Sequence, residues 1–295
     1  MSKSGYYDWL KRDPSARELV NDELDQQIER VYAQHNRCYG YRRVREELLD
    51  LGVRASRERV RRRMRSLSLF GVQKRKFKQT TDSNHSFMVA PNVLNQDFAT
   101  HLPNTKWVGD ITYIQVKQRW LYLAVVIDLY SRRVVGWAFS ERINAQLVCD
   151  ALKMALRKRG YPKGVVVHTD RGSQYCSGAY QKLIKAYALV CSMSGRGNCY
   201  DNAVCESFFH TLKVEHVYRL SFESIEHAKQ QIFWFIEGYY NPKRKHSALG
   251  YKSPVIFEQA ALLKVAWFFV RQFEGRSPPL ITKTLFFYKK YKKII

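Results

Sequence analysis

Asp110, Asp170 and Glu206 are the residues of this chain whose type and spacing suit metal-assisted chemistry. Fifty-nine residues separate the first two and thirty-five the last two. Carboxylates are hard oxygen donors, and a set drawn from distant chain segments can clamp one or two divalent cations only where a fold gathers them at one point. The chemistry such a site supports is phosphoryl transfer. Spacing alone is weak in a chain with 26 Asp and Glu, so the surroundings of each acid carry the weight. Asp110 closes Trp107-Val-Gly-Asp inside a strand-like run, and Asp170 ends Val165-Val-Val-His-Thr where the chain turns through Arg171-Gly172-Ser173. An acid in so apolar a setting is costly unless paired or metal-bound. Glu206 falls on a helix whose same-face neighbours are Asn202, Phe209, His210 and Lys213, a stripe suited to facing phosphate. The bland alternative is a set of surface or helix N-terminal carboxylates.

The elements that must position these acids follow from periodicity. Trp107 to Val116, Trp120 to Asp128 and Val134 to Phe139 are β-branched and aromatic runs separated by polar turns, which predicts three consecutive antiparallel strands. A helix over about 144–159, a buried strand ending at Asp170, a helix over about 177–188, a strand near 189–193 and a helix from about 201 complete a mixed α/β unit. The fold class expected is α/β, a ribonuclease-H-like mixed sheet with flanking helices. No Gly-x-Gly-x-x-Gly follows the first strand, which argues against a dinucleotide-binding sheet. Ser194-Gly-Arg196-Gly-Asn, before the last helix, reads either as a loop closing on a nucleic-acid backbone or as a plain turn.

Upstream the pattern is all-α. Leu24, Ile28, Val31 and His35, then Val44, Leu48 and Leu51, then Val60, Met64 and Leu67 recur at helical spacing, with Ser56 as N-cap of the third helix. The short Gly52 turn makes the last two a helix-turn-helix. Six arginines lie between positions 57 and 65 against Glu58 alone, and Arg57, Arg61, Arg62 and Arg65 are the candidate phosphate contacts. The alternative is a bundle with a solvated basic face. Domains are expected at 1–70 (helical, DNA-binding), 71–103 (linker), 104–242 (catalytic core) and 243–295 (basic C-terminal segment).

Fifty Lys and Arg against 26 Asp and Glu leave a charge of +24, which favours a polyanionic partner. The polar N-terminus and the lack of a long apolar run point away from membranes and export, toward a cytoplasmic, nucleoid-associated protein. Six cysteines without a Cys-x-x-Cys pair give neither a zinc ribbon nor a redox dithiol.

The chain resembles the OrfB-type transposases of the insertion-sequence 3 family, whose core resembles retroviral integrase. The resemblance is carried by Trp107-Val-Gly-Asp110-Ile-Thr-Tyr, His168-Thr-Asp170-Arg-Gly-Ser-Gln-Tyr175, Ser192-Met-Ser-Gly-Arg196-Gly-Asn-Cys-Tyr-Asp201-Asn202-Ala-Val-Cys-Glu206-Ser-Phe-Phe-His210-Thr-Leu-Lys213 and Tyr239-Tyr-Asn241-Pro-Lys-Arg244-Lys-His246-Ser-Ala-Leu-Gly-Tyr251-Lys-Ser-Pro254. It spans about residues 4 to 260, and the stretch from about Val265 to Ile295 does not match. The resemblance implies that Asp110, Asp170 and Glu206 form a DDE triad holding two Mg²⁺, with Mn²⁺ as substitute. It implies strand cleavage and strand transfer at element ends through a circular intermediate. Arg196, Asn202, His210 and Lys213 would position phosphate or terminal bases, and Arg244 and His246 serve either DNA contact or fold closure. Its partners would be double-stranded DNA (terminal inverted repeats and target), further copies in a homodimer or larger synaptic complex, and an upstream-frame recognition protein or fusion segment, beyond which this chain begins. The rival readings are a ribonuclease-H-type nuclease that cuts without joining and a non-catalytic DNA-binding regulator.

Overall fold

The computed structural model describes residues 2–10, 12–72, 90–195, 202–261 and 263. Four helices form the N-terminal unit: α1 (Lys3–Leu10), α2 (Ala16–Gln34), α3 (Tyr41–Asp50) and α4 (Arg57–Ser66). Helix α2 starts ahead of its apolar stripe because Ser15 and Glu18 form a reciprocal capping box: Glu18 N donates to Ser15 Oγ (3.3 Å) and Ser15 N to Glu18 Oε2 (2.7 Å). Gly52, at φ +79°, takes the left-handed turn between α3 and α4, and Ser56 caps α4 as expected. Leu24, Ile28, Val31, Val44, Leu48, Val60 and Met64 close on one another around Tyr39. Apolar stripes of three helices thus meet in one small core.

The second unit is a five-stranded sheet in the order β3-β2-β1-β4-β5. Strands β1 (Lys106–Val116), β2 (Arg119–Asp128) and β3 (Val134–Ser140) run antiparallel. Strands β4 (Val166–Thr169) and β5 (Val190–Met193) run parallel to β1 and to each other respectively. This is the ribonuclease-H-like sheet expected from the sequence. Helices α5 (Ala145–Arg159), α6 (Ser173–Cys176) and α7 (Gly178–Ala186) cover the face bearing Trp107, Ala124, Val126 and Val167. Helices α8 (Ala203–Glu215) and α9 (Ile225–Phe233) cover the opposite face, bearing Val108, Ile114, Leu123 and Val125. Burial on both faces explains why β2 reads as an almost continuous apolar run rather than an alternating one. Gly136 lets α5 approach β3: a Cβ there would lie 2.2 Å from Ala151 O and 2.7 Å from Ala155 N.

Three stretches differ from the sequence reading. Residues 73–89 of the expected linker lie outside the described residues, but residues 90–103 are packed on the core. Leu94 is buried, and the Val93 and Leu94 amides both donate to Ser192 Oγ at 3.0 Å. Residues 217–240, for which no element was foreseen, form α9 and a π-helical continuation, Trp234–Tyr240. The first part of the basic C-terminal segment is a clasp. Asn241 donates to Val134 O and accepts from Val134 N, both at 3.0 Å. Glu258 binds Ser131, Arg133 and Arg159. Lys245 reaches the helical unit, its backbone N donating to Tyr39 Oη (2.8 Å) and its Nζ to Glu46 O (2.9 Å). Residues 264–295, including the Lys-rich end, lie outside the described residues.

Candidate active site

The last registered pair between β1 and β4 is Val108 with His168. Asp110, midway along β1, and Asp170, one residue past the end of β4, each lie two residues beyond that pair, so continuation of the parallel register would bring the two acids side by side on neighbouring strands. Val108 faces the α8 side of the sheet, and the two-residue period gives Asp110 the same side. Glu206, in the first turn of α8, lines the same cleft, which has a volume of about 2000 Å³.

Local backbone groups hold the two acids of the sheet. Asp110 Oδ1 accepts from Ile111 N (2.8 Å), and Asp170 Oδ1 accepts from Gly172 N (3.0 Å). A Cβ at Gly172 would lie 3.0 Å from Asp170 Oδ1 and 2.8 Å from Gln174 Oε1, so a larger residue there would crowd the Asp170 carboxylate. Behind Asp170, His168 is clamped between Ser192 Oγ (2.8 Å from Nδ1) and Ser194 Oγ (3.1 Å from Nε2), which fixes β4 to β5.

Electrostatics make this a site short of positive charge. Burial, then repulsion from Asp170, pushes the Asp110 carboxyl well above the usual range; Glu206 adds to the rise, while the Ile111 amide and Lys213 oppose it. Burial also raises Glu206 and lowers Lys213, whose ammonium Asp110 in turn favours. Tyr175 and Cys205, buried beside the acids, are pushed up by burial and by these negative neighbours, so both stay protonated and neutral. The donor set of acidic oxygens in mutual repulsion fits a hard divalent cation. Among the described residues, no three His, Cys, Asp or Glu side chains converge closely enough to cage a metal as they stand. The arrangement is therefore open, with Asp110 and Asp170 paired by register and Glu206 exposed across the cleft.

Known families account for residues 20–77 and 100–254. Residues 100–199 match the "Integrase core domain" model, residues 187–254 a second "Integrase core domain" model and residues 20–77 the "HTH-like domain". Transposase InsF for insertion sequence IS3A of Escherichia coli (strain K12) is 44% identical over 264 residues, covering 89% of this chain and 92% of that protein. The chain belongs to the insertion-sequence 3 family of transposases. An IS600 insertion-element 31 kDa protein of Shigella sonnei is 43% identical over 259 residues, covering 88% of this chain and 95% of that one. A simian T-cell lymphotropic virus intasome chain, at 17% identity, covers 86% of this chain and 76% of its own with a TM-score of 0.47. The protein is thus a transposase with an integrase-type core and a DNA-binding helical unit, acting in transposition and DNA integration. Integrase cores depend on divalent metal.

The remaining expected site residues of the transposase fall into distinct environments. Arg57, Arg61, Arg62 and Arg65 are exposed on α4, Arg61 in a surface pair with Glu58. Arg59 and Arg63 of the same cluster turn inward to Asn21 and Asp25 of α2. His210 and Lys213 are half-buried in the cleft, with Lys213 Nζ 4.8 Å from the Tyr113 ring centre. Asn202 is not on the helical stripe but at the N-cap of α8, and its Nδ2 donates to Gly109 O (3.4 Å), tying α8 to the strand that bears Asp110. Arg196 lies outside the described residues, as do residues 197–201 of the glycine-rich loop.

Of the two roles left open for Arg244, DNA contact and fold closure, its surroundings suit the second. It is 4% exposed and holds Glu215 with two bonds, Nε at 2.7 Å and Nη2 at 2.6 Å. His246 lies against Tyr240 and 3.5 Å from Arg244 Nη1; burial, then Arg244, Arg43 and Arg132, pushes its imidazole down to about 2. It therefore carries no charge to offer a phosphate. Sequence reasoning assigned no role to His168, Tyr175 or Cys205, all of which appear in the motif strings; their inward-facing positions on β4, α6 and α8 were the available signal.

Proposed function

We propose that Asp110, Asp170 and Glu206 hold divalent metal, Mg²⁺ with Mn²⁺ as substitute, and that the transposase uses them to cleave element ends and join them to a target strand. The observation that carries this is the parallel pairing of β1 with β4, whose continuation by two residues would set Asp170, just past β4, beside Asp110 in the middle of β1. Glu206 completes the set from α8. When bound, such ions supply activation of the attacking hydroxyl and stabilisation of the leaving oxygen in an in-line phosphoryl transfer. Lys213 opposes the negative charge at Asp110 and positions a phosphate oxygen. His210 approaches the same phosphate, Asn202 keeps α8 registered on β1, and Arg196 extends the contact along the strand. Arg57, Arg61, Arg62 and Arg65 neutralise duplex phosphates outside the cleft.

In this reading residues 1–70 bind DNA and residues 104–242 catalyse, with 243–261 clasping the two. The ends to be joined are the element's terminal inverted repeats, first to one another in a circular intermediate and then to target DNA. Two ends in one reaction call for a homodimer or larger assembly, with an upstream-frame recognition segment as a further partner. The setting is the nucleoid-associated bacterial cytoplasm, and no helix among the described residues is long and apolar enough to cross a membrane.

The test uses end-labelled element DNA on denaturing gels. The unsubstituted protein gives cleaved and joined strands with Mg²⁺ and neither after chelation, while Asp170→Asn keeps DNA binding and loses both products. An active Asn variant removes Asp170 from the triad. Cut but unjoined strands identify a nuclease instead, and binding with no metal-dependent product identifies a regulator.

A further inference from the structure

The cleft that holds the acids has a second wall of different chemistry. Beyond Val108 the edge of β1 that faced β4 has no registered partner among the described residues, while its other edge stays paired with β2 to Val116. Tyr113 lies directly across from Tyr122 and diagonally from Trp120, whose register partner is Gln115. The two-residue period puts these three rings on one face. Further back, α5 covers that face over Ala124, Val126 and Val135; at the hairpin end it is bare. Tyr113 is 42% exposed and Trp120 44% exposed, their ring centres 5.2 Å apart and edge to face.

Their mutual contact is edge to face and leaves both rings partly exposed, with the Lys213 ammonium lying over the Tyr113 ring. Both rings line the same cleft as Asp110, Asp170 and Glu206, together with Lys117 and Lys213. Tyr113 follows Asp110 by three residues on one strand, about 10 Å, and the odd offset puts its side chain on the other face of the sheet, so the cleft that both line reaches around the edge of β1. That distance is the reach of a few nucleotides from a phosphate held at the acids. The Lys213 ammonium sits 4.8 Å from the Tyr113 ring centre, so positive charge adjoins the apolar surface. Open aromatic rings beside lysines, along an unpaired strand edge leading to a phosphoryl-transfer site, have the composition of a base-stacking platform.

The geometry points to Tyr113 and Trp120 as a subsite that stacks an unpaired nucleobase of the DNA strand whose phosphate lies at the acids. The occupant is an unpaired base because bases within a duplex are stacked on one another and present no free ring face. The subsite favours ends that are frayed or single-stranded over blunt ends. This inference rests on the reading of the cleft as the DNA site, but not on the metal roles of the acids.

The test is equilibrium binding by the full chain, without divalent metal and at fixed salt, to a blunt duplex and to the same duplex with a short 3′ overhang. Trp120→Ala lowers affinity for the overhang roughly ten-fold and for the blunt duplex less than about two-fold, and Trp120→Phe restores most of the loss. Equal losses on the two probes, or no loss on either, overturn the subsite. A second measurement needs no variant: 2-aminopurine at the first overhang base is quenched when the unsubstituted chain binds, and unchanged emission overturns it. Because no chemistry occurs under these conditions, an active Asp170→Asn variant would remove the proposed triad and leave this result standing.

Discussion

Glu215 is the residue at which charge, burial and domain docking meet, and Glu215→Gln tests whether that meeting holds the protein together. Its carboxylate, at the end of α8, accepts from Arg244 Nε (2.7 Å) and Nη2 (2.6 Å) and from Arg43 Nη1 of the helical unit (3.3 Å). Burial alone would raise its pKa, yet Arg244 and Arg43 hold it below the ordinary carboxylate range. Glutamine keeps the shape and one acceptor oxygen but leaves the buried Arg244 guanidinium without a counter-charge. Removing one partner of a buried pair costs about 3–5 kcal/mol. The surviving amide bond offsets about 1 kcal/mol of that, so the expected loss is about 2–4 kcal/mol. Equilibrium urea unfolding, followed by tryptophan fluorescence and far-ultraviolet dichroism, reads it as a lower midpoint. The double variant Glu215→Leu with Arg244→Met orphans no charge and should recover to within about 1–2 kcal/mol of the parent. The pH dependence has a defined sign. A carboxyl with a depressed folded pKa stabilises above its unfolded value, here 4.5, and that contribution is lost as pH falls through the lower folded value. The deficit of the Gln variant should therefore shrink below pH 4.5. A loss under about 1 kcal/mol, or a double variant weaker than the single, refutes the assignment of Glu215 as the counter-charge of the clasp.

Two further outcomes follow from the packing. Gly136→Ala places a Cβ 2.2 Å from Ala151 O, a backbone atom that cannot swing aside, so α5 must lift from β3; a loss of about 3 kcal/mol or more is expected, and unchanged thermal unfolding would show that α5 does not pack there. His246, with a folded pKa pushed down to about 2 against 6.5 when free, stabilises fully above pH 6.5 and loses that contribution as pH falls toward 2. Its slope is at most about 1.4 kcal/mol per pH unit. His246→Gln should flatten stability between those limits, leaving the smaller dependence that buried His216 supplies in the same sense; an unchanged slope would show that His246 is not held neutral.

The acids were legible from their settings: Asp110 lies inside a β-branched and aromatic run, and Asp170 closes a short apolar one. Their adjacency was not. It depends on β4 inserting beside β1 rather than β3, a choice made by the packing of α5 and α8 on opposite faces, which no local pattern records. The role of Arg244 stayed open between DNA contact and fold closure for a related reason. Local basic density suggests phosphate, but the partner that decides its role is Glu215, 29 residues upstream and buried. Leu94, in a stretch read as linker by its polar neighbours, is anchored by Ser192, 98 residues away. Residues 225–240 escaped because aromatic positions are dense on every side of the π-helical turn, which blurs a 3.6-residue period.

The charge of +24 and the acid cleft are two halves of one device. A strongly basic chain draws a polyanion, with arginines on α4 and lysines along the cleft. At the point of chemistry the sign reverses: Asp170 and Glu206 both add like charge to the surroundings of Asp110, Tyr175 and Cys205 stay neutral, and burial weakens Lys213, the cation that opposes Asp110. A phosphate brought there by the surface field would meet repulsion from the acids it must approach. Under the proposed metal role, cation and scissile phosphate therefore bind interdependently: the metal lets the phosphate in, and the phosphate oxygens complete a donor set that the protein alone leaves open. The device also explains why the protein need not pre-form a metal cage. Two acids fixed by strand register and a third on a separate helix leave room for the substrate to supply the rest.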